Sequence, residues 1–382
     1  MPDKKFAPMI YFHIPFCKQA CHYCDFHFST SLKYKDEMLL AMKNELNIRS
    51  SYLEDKKISS IYFGGGTPSI LEADEISQLI DEVGKHFEIT DQAEITLEAN
   101  PDDLHKSKVQ ALRNTAVNRF SIGIQSFFEE DLLWMNRAHH AEEARSSIMR
   151  VQDAGFENIT CDLIYGYPLL TNQKWKANMQ QLIDFQVPHI SSYSMTVEKK
   201  TALDHLINKG KTPPLNEEQS AEQMLMLMDT LTAAGYDHYE ISNFAKPGKY
   251  AQHNSNYWKG KHYLGIGPSA HSFNGNSRSW NIANNALYTK ALLSKELAQE
   301  TETLSKEDQF NEYVMTSLRT IWGIDQQYII RTFGSDYNNE LLKNIQPYLE
   351  NGEVHVSKEQ TITLTPKGKL IADQIASDLF II

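Results

Sequence analysis

Cysteine is scarce in this chain, with four in 382 residues, which excludes the disulfide framework of a small secreted protein. No apolar run approaches the roughly 20 residues that cross a bilayer. The opening Met1-Pro2-Asp3-Lys4-Lys5 has no apolar stretch of a secretory signal behind it. Both absences predict a cytoplasmic protein that is not integral to a membrane. Positive charge is in deficit, with 37 Lys and Arg against 49 Asp and Glu and a net charge of −12. That balance argues against a nucleic-acid partner held through phosphate contacts. Internal repeats and low-complexity segments are missing too. What remains is an ordinary globular composition, 41% hydrophobic and 23% charged, long enough for one large domain and a small one.

Six short β-branched or aromatic runs recur, each ending in a polar or glycine-bearing turn: Met9–Pro15, Ile58–Gly66, Ala93–Pro101, Arg119–Ser126, Asn158–Pro168 and His189–Met195. Helical spacings lie between them. Leu39, Met42 and Leu46 share one face, as do Ile76, Leu79, Ile80 and Val83, and again Trp175, Met179, Leu182 and Ile183. A Met/Leu-rich helix from Met224 to Leu231 is ended by Gly235. The alternation predicts an α/β fold built of βα units around a parallel sheet. The functional-looking residues cluster at the C-terminal ends of the strands, where barrel-type proteins carry their sites. After Leu304 the pattern changes. Helices are expected over Asp308–Trp322, Gln326–Phe333, Leu341–Asn351 and Pro366–Leu379, with a hairpin of Glu353–Val356 and Thr361–Leu364. The expected division is a core over 1–235, a barrel extension over 236–303, and a C-terminal helical, winged-helix-like module over 304–382. That module is poor in Lys and Arg, so packing or partner binding is expected of it rather than DNA binding.

Three of the four cysteines fall within Cys17-Lys18-Gln19-Ala20-Cys21-His22-Tyr23-Cys24. Three thiolates on one loop can hold three irons of a [4Fe–4S] cube and leave the fourth iron open to a small chelating molecule. Zinc held with His13, His22 or His27 is the competing reading. Cys161, inside an apolar strand, reads as a small core hydrophobe. The triplet spacing resembles the signature of the radical S-adenosylmethionine (SAM) superfamily. Gly64-Gly65-Gly66-Thr67-Pro68 closes the second strand and is not a P-loop, since no Gly-Lys-Ser/Thr follows. Consecutive glycines let backbone approach a ligand closely, and in that superfamily the stretch meets the amino group of SAM. Later strands offer Glu98 and Asn100, Gln125 and Ser126, Arg137, and Asp162. Glu98 and Arg137 suit SAM's ammonium and carboxylate, and Gln125 and Asp162 its ribose hydroxyls. Farther on stand His253-Asn254-Ser255-Asn256-Tyr257-Trp258 and Gly265-Ile266-Gly267-Pro268-Ser269-Ala270-His271. The second superficially matches a dinucleotide fingerprint, but no helix is expected after it. A histidine beside aromatics and a glycine loop suits either haem iron or a structural loop.

In family order, His13-Ile-Pro-Phe-Cys-x3-Cys-x2-Cys, Gly-Gly-Gly-Thr-Pro, Glu98-Ala-Asn-Pro, Gly123-Ile-Gln-Ser and Asp162-Leu-Ile-Tyr-Gly-Tyr-Pro resemble the oxygen-independent coproporphyrinogen oxidase family of radical SAM proteins. The resemblance runs from Ile10 through the C-terminal module. It implies a partial (β/α)6 barrel of TIM type, a [4Fe–4S] cluster on Cys17, Cys21 and Cys24, and SAM near Tyr11, Gly65, Gly66, Thr67, Glu98, Gln125, Arg137 and Asp162. Two groups share the pattern, a coproporphyrinogen III dehydrogenase of haem biosynthesis and a haem chaperone. Three features favour the chaperone. The dehydrogenase has a further cysteine where Phe26 stands; its N-terminal arm is longer; and His253–Trp258 is similar to a chaperone motif associated with haem, which makes His253 the expected haem contact. The implied partners are haem or porphyrin, apo-haemoprotein acceptors and an electron donor, with a homodimer and the turnover of SAM left open.

Overall fold

The computed structural model describes residues 7–381, so the opening Met1–Lys5 read above lies outside the described residues. The six expected runs form β1 (Met9–Ile14), β2 (Lys57–Gly65), β3 (Glu88–Ala99), β4 (Arg119–Gln125), β5 (Ile159–Tyr165) and β6 (His189–Ser194). Each pairs in parallel with the next in chain order. Successive side chains on a strand point to opposite faces, and the two faces here differ in chemistry. Ile10, Phe12, Ile61, Phe63, Ile95, Leu97, Phe120, Ile122, Cys161 and Leu163 are buried in the main apolar core. Helices Lys35–Ile48, Ala73–His86, Lys106–Arg113, Ala141–Asp153, Asn172–Asp184 and Glu217–Ala233 each contribute buried faces to it. The alternating set, Tyr11, Ser60, Tyr62, Glu94, Thr96, Glu98, Arg119, Ser121, Thr160 and Asp162, makes a polar interior. A barrel interior is ordinarily filled by branched apolar side chains. A polar one must be satisfied by internal partners or by a ligand. The architecture is the α/β partial barrel that the resemblance implied.

The strand pattern missed what flanks this core. Two strands, β7 (Asp237–Glu240) and β8 (Asn243–Ala245), join at the β6 edge, with β8 antiparallel to β6. At the other edge β9 (Tyr263–Ile266) runs parallel to β1. Antiparallel β10 (His271–Phe273), β11 (Ser277–Asn281) and β12 (Gln299–Thr303) follow. The result is one sheet of 12 strands in the order β12-β11-β10-β9-β1-β2-β3-β4-β5-β6-β8-β7.

A second apolar core gathers Phe310, Val314, Leu318, Ile329, Leu341, Ile345, Ile362 and Ile375. Its helices end differently from the expectation. The first runs Lys306–Leu318 and stops before Thr320, which bridges to Glu240. The third begins earlier, at Ser335, after Gly334 at φ 103°. The last is broken into Pro366–Lys369 and Ala372–Asp378. The expected hairpin gains a third strand, β13 (Ile324–Asp325), in the order β13-β15-β14, where β14 is Val354–Val356 and β15 is Thr361–Leu364. Backbone bonds Ile241 N→Arg319 O and Ile321 N→Tyr239 O, both 3.0 Å, tie this unit to the β7–β8 hairpin. Among the described residues no helix is long and apolar enough to cross a membrane.

Candidate functional site

A cavity of about 530 Å3 opens at the C-terminal ends of β1 to β6, within the roughly 300–1,000 Å3 typical of ligand pockets. It brings together Cys17, Cys21 and Cys24 with Gly65, Gly66, Thr67, Glu98, Gln125, Arg137 and Asp162. Seven of the eight residues expected near SAM therefore share one wall with the three thiols. Tyr11 is the exception. It lies a layer deeper, its ring 6.1 Å from that of Tyr62 and its hydroxyl 3.4 Å from His13 Nδ1. Ser126 also turns away, donating to Asp131 Oδ2 at 2.8 Å. Another cavity of about 560 Å3, between Leu53–Lys56 and Lys259–His262, holds none of these motif residues and lies at the N-terminal ends of the strands.

The cysteine loop is clamped from several sides. Lys18 pairs with Asp102 at 2.8 Å and also with Asp103. Gln19 Nε2 donates to Asn136 Oδ1 at 2.8 Å, and Asn136 Nδ2 returns a bond to Ala20 O at 2.7 Å. Cys17 N donates to Ser29 O at 3.0 Å. Donors also aim at sulfur: Thr67 Oγ1 stands 3.5 Å from Cys17 Sγ, and Arg137 Nη1 3.3 Å from Cys21 Sγ. Burial raises the Cys17 thiol and lifts that of Cys24 to about 12, so metal loading must release protons from these groups.

Close approach explains the glycines. Gly66 N donates to Ile14 O at 2.9 Å and Thr67 N to Phe16 O at 2.7 Å, which sews the glycine turn to the cysteine loop. A Cβ on Gly66 would lie 2.6 Å from Phe16 O, and one on Gly65, at φ 106°, would strike the His13 ring at 2.7 Å. Gln125 sits at φ 65°, a strained choice for a non-glycine residue and a mark of functional sites.

The cavity floor is charged. Tyr62 Oη donates to Glu98 Oε1 at 2.8 Å, and Ser121 Oγ reaches both Asp162 oxygens at 3.4 Å. Burial lifts the carboxyls of Glu98 and Asp162 each to about 7. Arg137 Nη2 bonds Asn100 Oδ1 at 2.7 Å and Gly123 O at 3.0 Å, while its buried Nε has no partner among the described residues. Sequence reading missed Tyr62, Ser121 and Tyr193, all inward positions. Period-two counting back from Gly64 and Gly123 finds the first two.

These residues fit the expected groups. Three thiols line one polar chamber with a buried cation and two acids. Among the described residues no three His, Cys, Asp or Glu side chains group closely enough to hold a single ion such as zinc, and each nearby histidine has a ring nitrogen engaged by another partner. His13 Nε2 bonds His27 O at 2.9 Å, His22 Nδ1 bonds Trp134 O at 2.8 Å, and His27 Nε2 bonds Asn285 Oδ1 at 2.7 Å.

The structure corrects the reading of His253. Its motif is not a loop but the helix Gln252–Trp258, whose leading amides at Gln252 and His253 are held by Glu94 at 3.1 and 2.9 Å. The His253 ring is wholly buried. Nδ1 meets Ser60 Oγ at 2.8 Å and Nε2 meets Tyr257 Oη at 3.0 Å, so an iron at either nitrogen would have to displace a hydroxyl.

A barrel with this cysteine loop and glycine turn defines a radical SAM protein, and the family model described as Radical SAM superfamily matches residues 11–182. The haem chaperone HemW of Bacillus subtilis is 32% identical over 368 residues, covering 96% of this chain and 97% of that protein. HemW of Lactococcus lactis is 33% identical over 358 residues, covering 94% and 93%. The chain belongs to the HemW family. Among solved structures, the Escherichia coli coproporphyrinogen III oxidase HemN superposes with a TM-score of 0.85 at 24% identity, covering 99% of this chain and 91% of that one, which shows the shared fold.

Proposed function

We propose that this protein is a haem carrier that takes up haem and delivers it to apo-haemoproteins, with a [4Fe–4S] cluster on Cys17, Cys21 and Cys24 and SAM in the adjoining cavity. The observation carrying this reading is near end-to-end similarity to HemW chaperones. When bound, cluster and SAM supply reductive cleavage of a sulfonium C–S bond. The chain's own residues do the rest. Gly65, Gly66 and Thr67 present backbone to the methionine end, Glu98 offers a carboxylate to its ammonium, Arg137 stands between Cys21 and Asn100, and Gln125 and Asp162 face the ribose side. The family's dehydrogenase reading is disfavoured by Phe26, which stands 67% exposed at the cavity rim where that enzyme has a cysteine. The proposal includes a cytoplasmic location, an electron donor for the cluster, room for a homodimer, and a division into 1–235, 236–303 and a winged-helix-like 304–382.

The test is anaerobic incubation of cluster-loaded protein with haem and an apo-cytochrome, and separately with coproporphyrinogen III, SAM and reductant. Haem transfer without release of CO2 is expected; decarboxylation at enzymatic rates would overturn the carrier reading.

The acids set a pH dependence. Glu98 and Asp162 are protonated below about 7, whereas SAM's ammonium needs Glu98 ionised. SAM binding therefore releases protons, and affinity should fall as pH drops from 8 to 6, approaching about tenfold per unit for one coupled proton. In the free protein the sign reverses. These raised carboxyls bind protons that the unfolded chain has already lost above its ordinary carboxylate range, so their contribution to stability declines as pH rises toward 7. Calorimetric SAM titrations at several pH values check it; a flat affinity would remove Glu98 from the ammonium site.

A further inference from the structure

Both His253 nitrogens are hydrogen-bonded in the helix Gln252–Trp258, so an exposed imidazole with free nitrogens is the readier ligand for haem iron. The inner face of the β10–β11 hairpin offers one. Its register sets His271 against Trp280 and Phe273 against Arg278. Side chains alternate along a strand, so these four share a face. The intervening residues confirm the orientation. Ser272 and Ser279 turn the other way, and Arg49 Nη2 donates to their hydroxyls at 3.0 and 3.1 Å. His271 is exposed, and its imidazole lies 6.0 Å from the Trp280 indole with the planes 30° apart. No hydrogen bond engages either of its nitrogens among the described residues, in contrast to His13, His22, His27 and His253. The Arg278 guanidinium stands 5.9 Å from the Phe273 ring. Its Nη2 pairs with Glu312 at 2.8 Å, and its buried Nε has no partner. Glu300 and Glu302 on β12 stand across from Trp280 and Arg278 and bound the face on its outer side.

We propose that haem seats on this face, with His271 as the axial ligand of the iron, Trp280 and Phe273 against the porphyrin, and Arg278 toward a propionate. The inference rests on the carrier reading. The chemistry is that of a haem site: a neutral imidazole with a free nitrogen, flat aromatic walls, and a cation for a carboxylate. Partial desolvation by its neighbours and the Arg278 charge lower the basicity of His271. The place also suits communication with the cluster chamber. His271 lies in the electrostatic range of His13, whose ring backs Gly65.

The experiment is haem titration followed by Soret absorbance and EPR, on the full chain and on two variants. His271→Ala should lose the histidine-ligated spectrum and bind about tenfold or more weakly, and added imidazole should restore the ligated spectrum. His355→Ala, an exposed histidine on β14 of the C-terminal unit, should titrate like the parent. His271→Ala matching the parent in spectrum and affinity overturns the placement alone. A parent protein that takes up no haem overturns the carrier reading, and the placement with it.

Discussion

Arg49→Ala is expected to destabilise the protein by about 3–5 kcal/mol, a large share of the roughly 5–15 kcal/mol that holds a domain together. Arg49 follows the helix Lys35–Ile48 and is 4% exposed. Nη1 donates to Glu45 Oε1 at 3.0 Å and to Gly265 O at 3.2 Å, and Nη2 reaches Ser272 and Ser279. One side chain thus fastens a helix of the main core to β9, β10 and β11. Glu45 is fully buried and also accepts from Asn281 Nδ2 at 2.7 Å and Gly267 N at 2.9 Å. Removing the guanidinium leaves that carboxylate with neutral donors only, and an uncompensated buried charge is the costly outcome. Adding Glu45→Gln should therefore recover part of the loss. Denaturant unfolding of the single and double variants checks this. A double variant no more stable than Arg49→Ala would assign the loss to packing rather than to stranded charge. The strands released first would be β10 and β11, so haem binding should weaken along with stability if His271 is the ligand.

That network also shows where sequence reasoning stops. Strands β1 to β6 were legible because each pairs an apolar outward face with polar or glycine residues at its end, and the helices between them carry clean apolar stripes. β11 and β12 read Ser-Arg-Ser-Trp-Asn and Gln-Glu-Thr-Glu-Thr, with little apolar patterning. They are strands because neighbours supply their hydrogen bonds and because Arg49 and Glu45, more than two hundred residues away, anchor the hairpin. The helix Gln252–Trp258 was illegible for a related reason. Its turn is short and its apolar spacing poor, and it depends on Glu94 for its N-terminal amides. His253 shows the limit for function. A histidine between polar and aromatic neighbours fits an iron ligand and a core residue equally well in one dimension. Ser60 and Tyr257, which hold its ring nitrogens, are visible only in three. The cavity residues fared better because six of the eight, all but Tyr11 and Arg137, come from motifs ending adjacent parallel strands, and parallel register delivers such ends to one place.

Cys21→Ala should strip the protein of its iron–sulfur cluster while leaving the fold standing. On the proposed assignment it removes one of three thiolates. No other cysteine can replace it, because Cys161 is fully buried in the apolar core on the outer side of β5. Two thiolates from one loop are a poor hold for a cube whose fourth iron already lacks a protein ligand. The cost to the apo fold is small by comparison. Cys21 Sγ is a weak acceptor facing Arg137 Nη1, and Arg137 keeps Asn100 and Gly123 through Nη2. Lys18, Gln19 and the Cys17 amide still clamp the loop. The variant should therefore show parental circular dichroism and unfolding midpoint in the metal-free state. After anaerobic reconstitution it should lack the brown absorbance, the Mössbauer signature and stoichiometric iron and sulfide. Cys161→Ala, reconstituted alongside, should keep all of them and lose only packing stability. Parental iron and sulfide in Cys21→Ala would dismiss this residue as a ligand. A parent protein that assembles no cube would remove the basis for placing SAM beside it, since Glu98, Arg137 and Asp162 would then line a polar chamber with no metal vertex to complete it.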